Sequence, residues 1–410
     1  REAITALRLL TERSLEHQVD VFVCFVDFEK AFDNVRYPQL FEVLRNLNIN
    51  KADVRIIENL YREQTAFISI ENSTTDDIPI RKGVRQGCIL SPLLFNIYSE
   101  QIFESLAERE EGIRINGQVI NNLRYADDTA VLASSMTDLQ TLMDVMNIAC
   151  TNYGMRINKS KTKVMVFRRN ILPTQFSDES ISLDGIRIER VPRFQYLGAW
   201  IEENANANLE IRSRIAQAKT TFSKMKVLGN QKVSATLRIR LLKCYVWPVL
   251  LYASESWTIK KDMQKRVRSF ETWCYRRIHK ISWTQRMSNE QLFKDFKLKR
   301  ALLDSLAKRK SAYLGHVLRN ENFALVKLIL EGKIPGKKKR GRPCMAWLDN
   351  VKQWVHRNTQ QLWSAARDNH RWKSMIVKTQ SWRRHSMMMM KLLSPSYSPQ
   401  ISVPSYCLNV

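Results

Sequence analysis

The sequence predicts an α+β fold in its first half and a mainly α-helical fold in its second half. An unbroken apolar run over residues 21–28 is typical of a strand buried on both faces. Residues 121–124 and 129–133 are apolar-rich arms on either side of a turn and predict a β-hairpin. From residue 206 onwards, apolar residues recur at helical spacing between lysines and arginines. With 410 residues, 44% of them hydrophobic, the chain can form two or three domains with real cores.

Charge is distributed unevenly along the chain. Residues 1–205 contain 24 Lys and Arg against 29 Asp and Glu, which gives a net charge of −5. Residues 206–410 have a net charge of +31, so the whole chain has a net charge of +26. We therefore expect the basic half to meet a polyanion and the front half to hold a metal-dependent reaction. Seven widely spaced cysteines without a Cys-x-x-Cys pair predict neither a disulfide framework nor a zinc ribbon. No apolar run reaches membrane-spanning length, so we expect no membrane partner and an intracellular protein, nuclear or cytoplasmic and not secreted.

Three carboxylates are the candidate metal ligands. The predicted hairpin presents Asp127 and Asp128 at its tip. Two carboxylates about 4 Å apart repel by roughly 4 kcal/mol at an effective dielectric near 20, so a partly buried pair requires a cation or a proton. The alternative is an Asp-Asp turn pointing into water. Asp27 ends the buried strand, where a carboxylate is costly unless it is paired or binds a metal; the alternative is a cap for the helix near Pro38.

Further elements are predicted in chain order. Residues 3–16 indicate a helix, and residues 81–90 a basic loop whose glycines allow close approach to a ligand, or simply the entry to a helix. Ser91 and Pro92 are predicted as the N-cap and first residue of that helix. Its apolar face contains Leu94, Tyr98, Ile102 and Leu106. Next come an amphipathic helix over residues 139–150, an apolar strand over 164–167 and an aromatic turn over 193–198.

Five sequence blocks occur in a fixed order along the first 200 residues, and this order is characteristic. They are Phe-Val-Asp-Phe-Glu-Lys-Ala-Phe-Asp (25–33), Arg-Gln-Gly-Cys-Ile-Leu-Ser-Pro (85–92), Tyr-Ala-Asp-Asp (125–128), Gly-Met-Arg-Ile-Asn-Lys-Ser-Lys-Thr-Lys (154–163) and Phe-Gln-Tyr-Leu-Gly (194–198). Together they resemble the palm of a reverse transcriptase, and more narrowly that of the LINE-type, non-LTR retrotransposon enzymes. The resemblance implies a right-hand polymerase: an α+β palm with an antiparallel sheet and packed helices, then a mainly α-helical thumb and C-terminal extension.

The resemblance also implies a domain organisation. Residues 1–205 would form a remnant of the fingers and the palm, 206–300 the helical thumb, 301–385 a basic helical C-terminal region, and 386–410 a disordered tail. The family's fingers carry basic residues before the first block, and we expect this chain to begin too late to contain them all. The chain is therefore expected to be a fragment, and an alternative function is a catalytically inactive relic that binds nucleic acid.

The activity that the resemblance implies is RNA-directed DNA synthesis, in which deoxynucleotide triphosphates are added to a DNA primer 3′-hydroxyl on an RNA template. Asp27 and Asp127 would hold two Mg²⁺ ions, or Mn²⁺ in their place, with Asp128 as a supporting acid. Lys161, or else Lys163, matches the lysine that protonates the leaving pyrophosphate, although either could be a solvated charge.

Two further groups match family positions. Phe32 matches a bulky ring that lies against the sugar and excludes ribonucleotides, or it is simply a core aromatic. Gln86 and Gly87 match the loop that touches the template base and the nucleotide. The primer grip is matched by four residues of the aromatic turn: Phe194, Tyr196, Leu197 and Gly198.

In the basic half, residues 209–228 and 234–247 predict two amphipathic helices, the second interrupted by Pro248. They suit a thumb that grips a duplex through its phosphates, or an ordinary bundle with solvated charges. The charges expected away from the apolar stripe of the first helix are Arg212, Arg214, Lys219, Lys224 and Lys226. Nine of the ten tryptophans follow residue 206, and their helical spacing favours core packing over stacking on bases.

A basic run near residue 340 is a separate signal. It resembles a nuclear localisation run and the core of AT-hook peptides, which lie in the minor groove of DNA. We favour a basic linker that touches phosphates, with nuclear import as a second use; a DNA-binding module acting through this run is a further alternative. The candidate nucleic-acid-binding residues of the run are Lys337, Lys338, Lys339, Arg340 and Arg342.

Overall fold

The computed structural model describes residues 1–71, 73–168, 180–338, 341 and 343–376. The strands are β1 (Val21–Val26), β2 (Thr65–Ala66), β3 (Ser69–Ile70), β4 (Ser73–Thr74), β5 (Ile78–Pro79), β6 (Ile113–Ile115), β7 (Gln118–Ile120), β8 (Asn122–Tyr125), β9 (Asp128–Ala133), β10 (Lys163–Phe167), β11 (Ser182–Leu183), β12 (Ile186–Arg187), β13 (Arg193–Tyr196) and β14 (Ala199–Glu202). The α-helices are α1 (Glu2–Glu16), α2 (Tyr37–Asn46), α3 (Lys51–Arg62), α4 (Ser91–Ala107), α5 (Met136–Asn152), α6 (Asn208–Lys224), α7 (Ala235–Leu241), α8 (Trp247–Leu250), α9 (Lys261–Ile278), α10 (Asn289–Asp295), α11 (Leu302–Arg319), α12 (Ala324–Glu331), α13 (Trp347–Val355) and α14 (Thr359–Arg367).

A four-stranded antiparallel sheet in the order β10-β1-β9-β8 stands at the centre of the first half. Every residue of β1 is buried, as the unbroken apolar run predicts. Because side chains alternate across a strand, β1 contributes to two cores. Val21, Val23 and Phe25 pack into one core, and residues 22, 24 and 26 pack into the other. The strands and the hairpin predicted from the sequence are thus confirmed.

One face of the sheet is covered by α2, α4 and α5. The predicted apolar face of α4 is confirmed, since Leu94, Tyr98, Ile102 and Leu106 are all buried. The predicted cap of this helix is wrong. Leu90 occupies the N-cap position, and Ser91 is the first helical residue. The Ser91 hydroxyl instead donates a hydrogen bond of 2.6 Å to the Arg85 carbonyl, so this side chain ties the preceding loop to the helix.

The other face of the sheet is covered by α1 together with helices from the end of the chain. Leu7 and Leu10 of α1 share a core with Leu314 of α11, Val326 of α12 and Val351 of α13. The predicted helix over residues 3–16 is confirmed as α1. The central sheet and the described part of the C-terminal region are therefore packed around one hydrophobic core. The tail predicted for residues 386–410 lies outside the described residues.

A third core contains the helices α6 to α10 and the start of α11. The predicted interruption at Pro248 is wrong. A π turn over residues 242–246 follows α7, and the chain then continues as α8 with Pro248 in its first turn. The Trp247 amide donates to the Leu242 carbonyl, five positions back, so the helical path continues through the wider π turn that directly precedes the proline. Across the described residues, no helix has both the length and the apolar character that crossing a membrane requires.

Most tryptophans of the basic half lie in these cores, as predicted. Trp257, Trp347, Trp354 and Trp372 are all buried. Trp283 is different, because its side chain is 88% exposed. The core-packing prediction is therefore wrong for this residue.

Candidate active site

Asp27, Asp127 and Asp128 meet at one end of the central sheet. Asp27 directly follows β1, and Val26 is paired with Thr129, so Asp27 lies beside Asp128 in the register of β1 and β9. Tyr125 pairs with Asp128 across a two-residue turn, in which Ala126 has a φ of 54°. The positive φ belongs to the tight hairpin turns that match the twist of the strands. The structure therefore brings together the three carboxylates that the sequence singles out.

The three carboxylates repel one another. Burial, and then the charges of Asp127 and Asp27, raise the pKa of Asp128 above its ordinary value. The Asp27 Oδ2 atom is buried and accepts no hydrogen bond within the described part of the chain. The nearest cation is the Lys161 ammonium group, whose Nζ is 3.6 Å from this oxygen. The end of the sheet is consequently a concentration of negative charge with little internal compensation.

This donor set fits a hard divalent cation. All the donors are carboxylate oxygens, which such ions prefer, and the buried Asp27 oxygen accepts no hydrogen bond within the described residues that would compete with a cation. Within the described ranges, no three His, Cys, Asp or Glu side chains converge closely enough to hold an ion by themselves. Mg²⁺ sites that act on nucleotides commonly combine one or two carboxylates with phosphate oxygens of the substrate. The arrangement is compatible with a site of that kind.

The loop that contains Lys161 is attached directly to Asp27. The Asn158 amide donates a hydrogen bond of 2.8 Å to the Asp27 carbonyl, and the Asp27 amide donates one of 3.3 Å to the Thr162 hydroxyl. Lys161 is 69% exposed and points toward the carboxylates. Lys163 is different, because its ammonium group pairs with Glu189 at 2.7 Å. Of the two lysines considered from the sequence, Lys161 therefore pairs with Asp27 and Lys163 with Glu189.

Phe32 and Gln86 also lie close to each other. Phe32 belongs to a short 3₁₀ helix that begins at Ala31, is half-buried, and stacks on Phe95 with ring centroids 4.7 Å apart. The Val84 amide donates 2.8 Å to the Phe32 carbonyl, and Gln86 donates 3.3 Å to an Asp33 carboxylate oxygen. The basic loop thus docks on the segment that follows Asp27.

The glycines of this loop serve two different purposes. Gly83 has a φ of 94°, and a Cβ atom there would stand 3.0 Å from the backbone of Asp33, so only glycine allows the docking. Gly87 has a φ of 86°, but a Cβ atom there would meet nothing within 4 Å. The exposed backbone around Gly87 therefore stays open to a ligand.

The predicted aromatic turn is a hairpin of β13 and β14 that packs beneath the aspartates. Phe194 stacks on Phe25 at 4.4 Å, and the Tyr196 hydroxyl donates 3.3 Å to the Leu123 carbonyl in β8. Burial, with a smaller effect from the Asp128 charge, raises the pKa of Tyr196 well above its ordinary value. Leu197 and Gly198 form the turn itself, with φ angles of 49° and 74°.

Sequence reasoning missed the two side chains that hold this turn. The Tyr252 hydroxyl donates 2.8 Å to the Leu197 carbonyl. Arg214 donates to the Gly198 carbonyl, pairs with Glu210 at 2.7 Å, and lies 4.3 Å over the Tyr252 ring. Arg214 was expected away from the apolar stripe of α6, but it is one of the buried residues of that helix and its side chain is only 9% exposed, so that prediction is wrong. The i, i+4 spacing of Glu210 and Arg214 was the one available signal.

The basic run is described only in part. Lys338 pairs with Glu16 of α1 at 2.8 Å. Lys337 is exposed. Lys339, Arg340 and Arg342 lie outside the described residues.

The fold and the site together define a class of protein. A four-stranded antiparallel sheet between two layers of helices, with three carboxylates at one end, is the palm of a nucleic-acid polymerase. The family described as reverse transcriptase (RNA-dependent DNA polymerase) matches residues 3–201. The chain belongs to this reverse transcriptase family. The resemblance drawn from the five blocks is confirmed.

Individual relatives agree with this assignment. A transposon-derived protein of Caenorhabditis elegans is 30% identical over 250 residues, which are 59% of this chain and 88% of that protein. The RNA-directed DNA polymerase from mobile element jockey of Drosophila melanogaster, a non-LTR retrotransposon, is 23% identical over 282 residues. Those residues are 67% of this chain but 30% of the jockey polymerase, so the chain spans under a third of that relative's length.

Among solved structures, a telomerase from Candida tropicalis superposes on 80% of this chain and 52% of its own chain. The TM-score is 0.38 and the sequence identity is 12%.

Proposed function

We propose that this chain is the palm and thumb of an RNA-directed DNA polymerase of a LINE-type retrotransposon. The reaction adds deoxynucleotide triphosphates to the 3′-hydroxyl of a primer on an RNA template. The observation that carries the proposal is the meeting of Asp27, Asp127 and Asp128 at one end of the sheet. A buried Asp27 oxygen accepts no hydrogen bond from the described residues and has only the exposed Lys161 ammonium group nearby, at 3.6 Å. Structural carboxylates are usually paired, whereas catalytic ones are kept available for a metal.

Asp27 and Asp127 would hold two Mg²⁺ ions, or Mn²⁺ ions in their place, with Asp128 as a supporting acid. Such ions, when bound, activate the primer hydroxyl and neutralise the charge that develops on the transferred phosphate. The raised pKa of Asp128 supports this assignment, because a divalent cation relieves the repulsion that raises it. The chain's own contribution is to hold three carboxylates in a fixed register on neighbouring strands.

Lys161 would protonate the leaving pyrophosphate. Its ammonium group lies 3.6 Å from Asp27 Oδ2 and is 69% exposed, so it can reach a phosphate that enters from solvent. Lys163 is the weaker candidate, since it is engaged with Glu189. A positioned acid of this kind contributes about 10²–10⁴-fold to a reaction rate.

Phe32 would lie against the sugar of the incoming nucleotide, with Gln86 and the open backbone at Gly87 touching the template base and the nucleotide. The stacking of Phe32 on Phe95 supports this role, because it keeps the ring in one orientation. A rigid ring excludes a 2′-hydroxyl better than a mobile one.

The turn formed by Phe194, Tyr196, Leu197 and Gly198 would hold the primer end. Its packing beneath Asp128 and its attachment to Tyr252 support this role. The basic half, with a net charge of +31, would grip the template–primer duplex through phosphates. Lys337 and Lys338, with the rest of their run, would add phosphate contacts and provide a signal for nuclear import.

Primer extension on a synthetic RNA template tests the proposal. The chain of residues 1–410 is compared with the Asp127→Asn, Asp128→Asn double variant and with Asp144→Asn, an exposed aspartate of α5 that serves as the control. We expect Mg²⁺-dependent extension by the wild type and by the control, and a loss of at least about 10³-fold in the double variant. Extension by the double variant at the wild-type rate would contradict the proposal. Binding of template–primer without any extension by the wild type would instead identify an inactive relic.

The metal assignment has a separate test that does not depend on activity. Adding Mg²⁺ to the wild-type chain is expected to raise its Tm, because a ligand that binds only the folded state stabilises it. The Asp27→Asn, Asp127→Asn variant is expected to show no such rise, while Asp144→Asn responds as the wild type does. An equal rise in all three proteins would place the bound Mg²⁺ elsewhere.

A further inference from the structure

Trp283 is 88% exposed, whereas the other tryptophans of the basic half that the structure describes are buried or half-buried. It lies between α9 and α10, on a short 3₁₀ helix of residues 283–285. An indole left in water forgoes the largest hydrophobic gain that any side chain can obtain from burial. A single exposed apolar residue is common on protein surfaces, so the assignment of a role to Trp283 depends on its surroundings.

The segment that carries Trp283 is held by specific hydrogen bonds. The Ser282 hydroxyl accepts the Thr284 amide at 3.3 Å and the Thr284 hydroxyl at 2.9 Å. Arg276 of α9 donates 2.6 Å to the Met287 carbonyl and 3.0 Å to the Asn289 side chain. Both ends of the segment are thus fixed, so its conformation presents the indole outward.

A capping box then starts α10 immediately after this segment. The Ser288 hydroxyl accepts the Gln291 amide, and the Gln291 side chain accepts the Ser288 amide. Since the backbone is already ordered, a partner that binds the indole would lose little of its affinity to the ordering of this segment.

The segment that contains Trp283 is rich in positive charge. Residues 276–300 contain eight Lys and Arg and two acidic residues. Lys280 and Arg286 flank Trp283 in the chain, both are exposed, and within the described part of the chain neither forms an ion pair. A flat aromatic face beside free cations is the combination that binds unpaired nucleotides, by stacking on the base and contact with the phosphate.

A second basic segment, which precedes and includes α7, contacts the end of α9. Gln231 donates 3.2 Å to the carbonyl of Ile278, the last residue of α9, and buried Arg238 of α7 donates to the same carbonyl. These contacts attach α7 and the residues before it to the end of α9, and the exposed Lys232 is the chain neighbour of Gln231. Two basic segments that are distant in sequence are therefore attached to each other.

We propose that Trp283, Lys280 and Arg286 form a binding site for single-stranded nucleic acid, with an unpaired base on the indole and the neighbouring phosphates on the two cations. A single strand fits better than a duplex, because duplex bases are already stacked on one another and offer no free face. The site goes beyond the proposed polymerase chemistry, since it contains none of the residues assigned to that chemistry. It would hold an unpaired stretch of RNA or DNA on the thumb.

Binding of a fluorescent single strand of about twelve uridines to the full chain tests this site, without nucleotide triphosphates. The comparison probe is a fluorescent, blunt-ended RNA duplex without unpaired bases. The variants are Trp283→Ala and Trp283→Phe, and the control is Ile148→Ala, which removes an exposed apolar side chain from α5. Thermal denaturation checks that each variant folds as the wild type does; we expect this for Trp283, because the residue is exposed.

We expect Trp283→Ala to weaken single-strand binding by about tenfold or more and duplex binding by less than about twofold. Trp283→Phe should retain most of the affinity, because it retains a stacking face, and the Ile148 control should bind as the wild type does. The Lys280→Ala, Arg286→Ala variant should reduce the slope of log Kd against log salt, whereas Trp283→Ala should leave that slope unchanged. Unchanged single-strand binding by Trp283→Ala, or an equal loss on the duplex, would overturn the proposal.

This readout is separate from primer extension. A catalytically silent chain that still shows the Trp283-dependent preference for single strands supports the site and contradicts only the proposed polymerase function. A chain that extends primers but binds single strands equally well with and without the indole supports the polymerase function alone.

Discussion

The hydroxyl of Tyr252 donates a hydrogen bond of 2.8 Å to the backbone carbonyl of Leu197, across 55 positions of the sequence. Leu197 has a φ of 49°, a conformation that non-glycine residues rarely adopt and that the surroundings must hold in place. Tyr252 follows α8 in the basic half of the chain, whereas Leu197 lies in the turn between β13 and β14. The basic half is thereby connected directly to the turn assigned to the primer end.

Replacing Tyr252 with phenylalanine removes this hydrogen bond and keeps the ring. We expect the free energy of unfolding to fall by about 1 kcal/mol. If the turn holds the primer, the KM for template–primer should rise by about fivefold while kcat changes little, because a loosened turn weakens binding by a similar free energy. Steady-state primer extension measures both constants. Tyr245→Phe, at an exposed tyrosine, is the control, and equal KM values for the two variants would contradict this role.

Arg214 is expected to matter for stability far more than its neighbours do. Its partner Glu210 has a fully buried side chain, which also accepts the Trp200 amide at 2.7 Å. Arg214→Leu removes the cation paired with this carboxylate and leaves buried Arg8 as the other cation that acts on it. The expected cost is about 3 kcal/mol, the lower end for a broken buried pair. Urea denaturation should show such a loss for Arg214→Leu and less than about 0.5 kcal/mol for Arg212→Leu, at an exposed position of the same helix.

A double variant separates the charge from the packing at this site. Adding Glu210→Gln to Arg214→Leu removes the charge of the carboxylate that has lost its paired cation and is expected to restore part of the lost stability. If the double variant is no more stable than Arg214→Leu, the loss comes from packing over Tyr252 and not from a buried charge.

The carboxylate site was predictable because each of its parts has a local signal. The run Val21–Val26 is apolar at every position, as a strand buried on both faces requires, and Asp27 breaks it where a carboxylate would be costly. Asp127 and Asp128 stand between two apolar arms at hairpin spacing. The register that brings them beside Asp27 is a long-range property, and it was available only through the resemblance of the five blocks.

The contacts made by Tyr252, Arg214 and Trp283 were not predictable in the same way. A tyrosine carries no local mark of a carbonyl partner 55 positions away, and an arginine on a helix looks solvated until a neighbouring element covers it. Trp283 has the same helical spacing as the buried tryptophans, so only the packing of the segment between α9 and α10 distinguishes it. The wrong N-cap prediction for Ser91 has a similar cause, because its hydroxyl donates to the Arg85 carbonyl and does not cap the helix.

The buried carboxyl group of Glu271 should produce a defined pH dependence of stability. It accepts the amides of Ala301 and Leu302 at 2.7 and 3.0 Å and the Tyr275 hydroxyl at 3.3 Å. Burial nevertheless raises its pKa, against the opposing effects of these hydrogen bonds and of Arg300. A folded-state pKa above the unfolded value means that the folded chain takes up this proton first. The contribution of Glu271 to stability therefore grows as the pH falls through the folded-state pKa, and is complete below the unfolded value.

The Glu271→Gln variant reveals this contribution by comparison. Glutamine still accepts the two amides but does not titrate, so the variant should lack the gain in stability on acidification that Glu271 provides. The free energy of unfolding of the wild type should exceed that of the variant by a growing amount as the pH is lowered from neutrality toward the ordinary pKa range of glutamate. Urea denaturation at a series of pH values measures this difference. A difference that stays flat, or that decreases on acidification, would contradict the raised pKa.

Phe32 gives the sharpest test of nucleotide choice. If its ring excludes a 2′-hydroxyl, Phe32→Val should raise the use of ribonucleotides relative to deoxynucleotides by about tenfold or more, because the steric exclusion is removed. The loss of stacking on Phe95 should also lower stability by about 1 kcal/mol. Phe41→Val is the matched control, since Phe41 is another half-buried aromatic residue, and it packs against Tyr37. Its preference for deoxynucleotides should equal that of the wild type, so a similar relaxation in both variants would mean that loosened packing, and not the Phe32 ring, sets the preference.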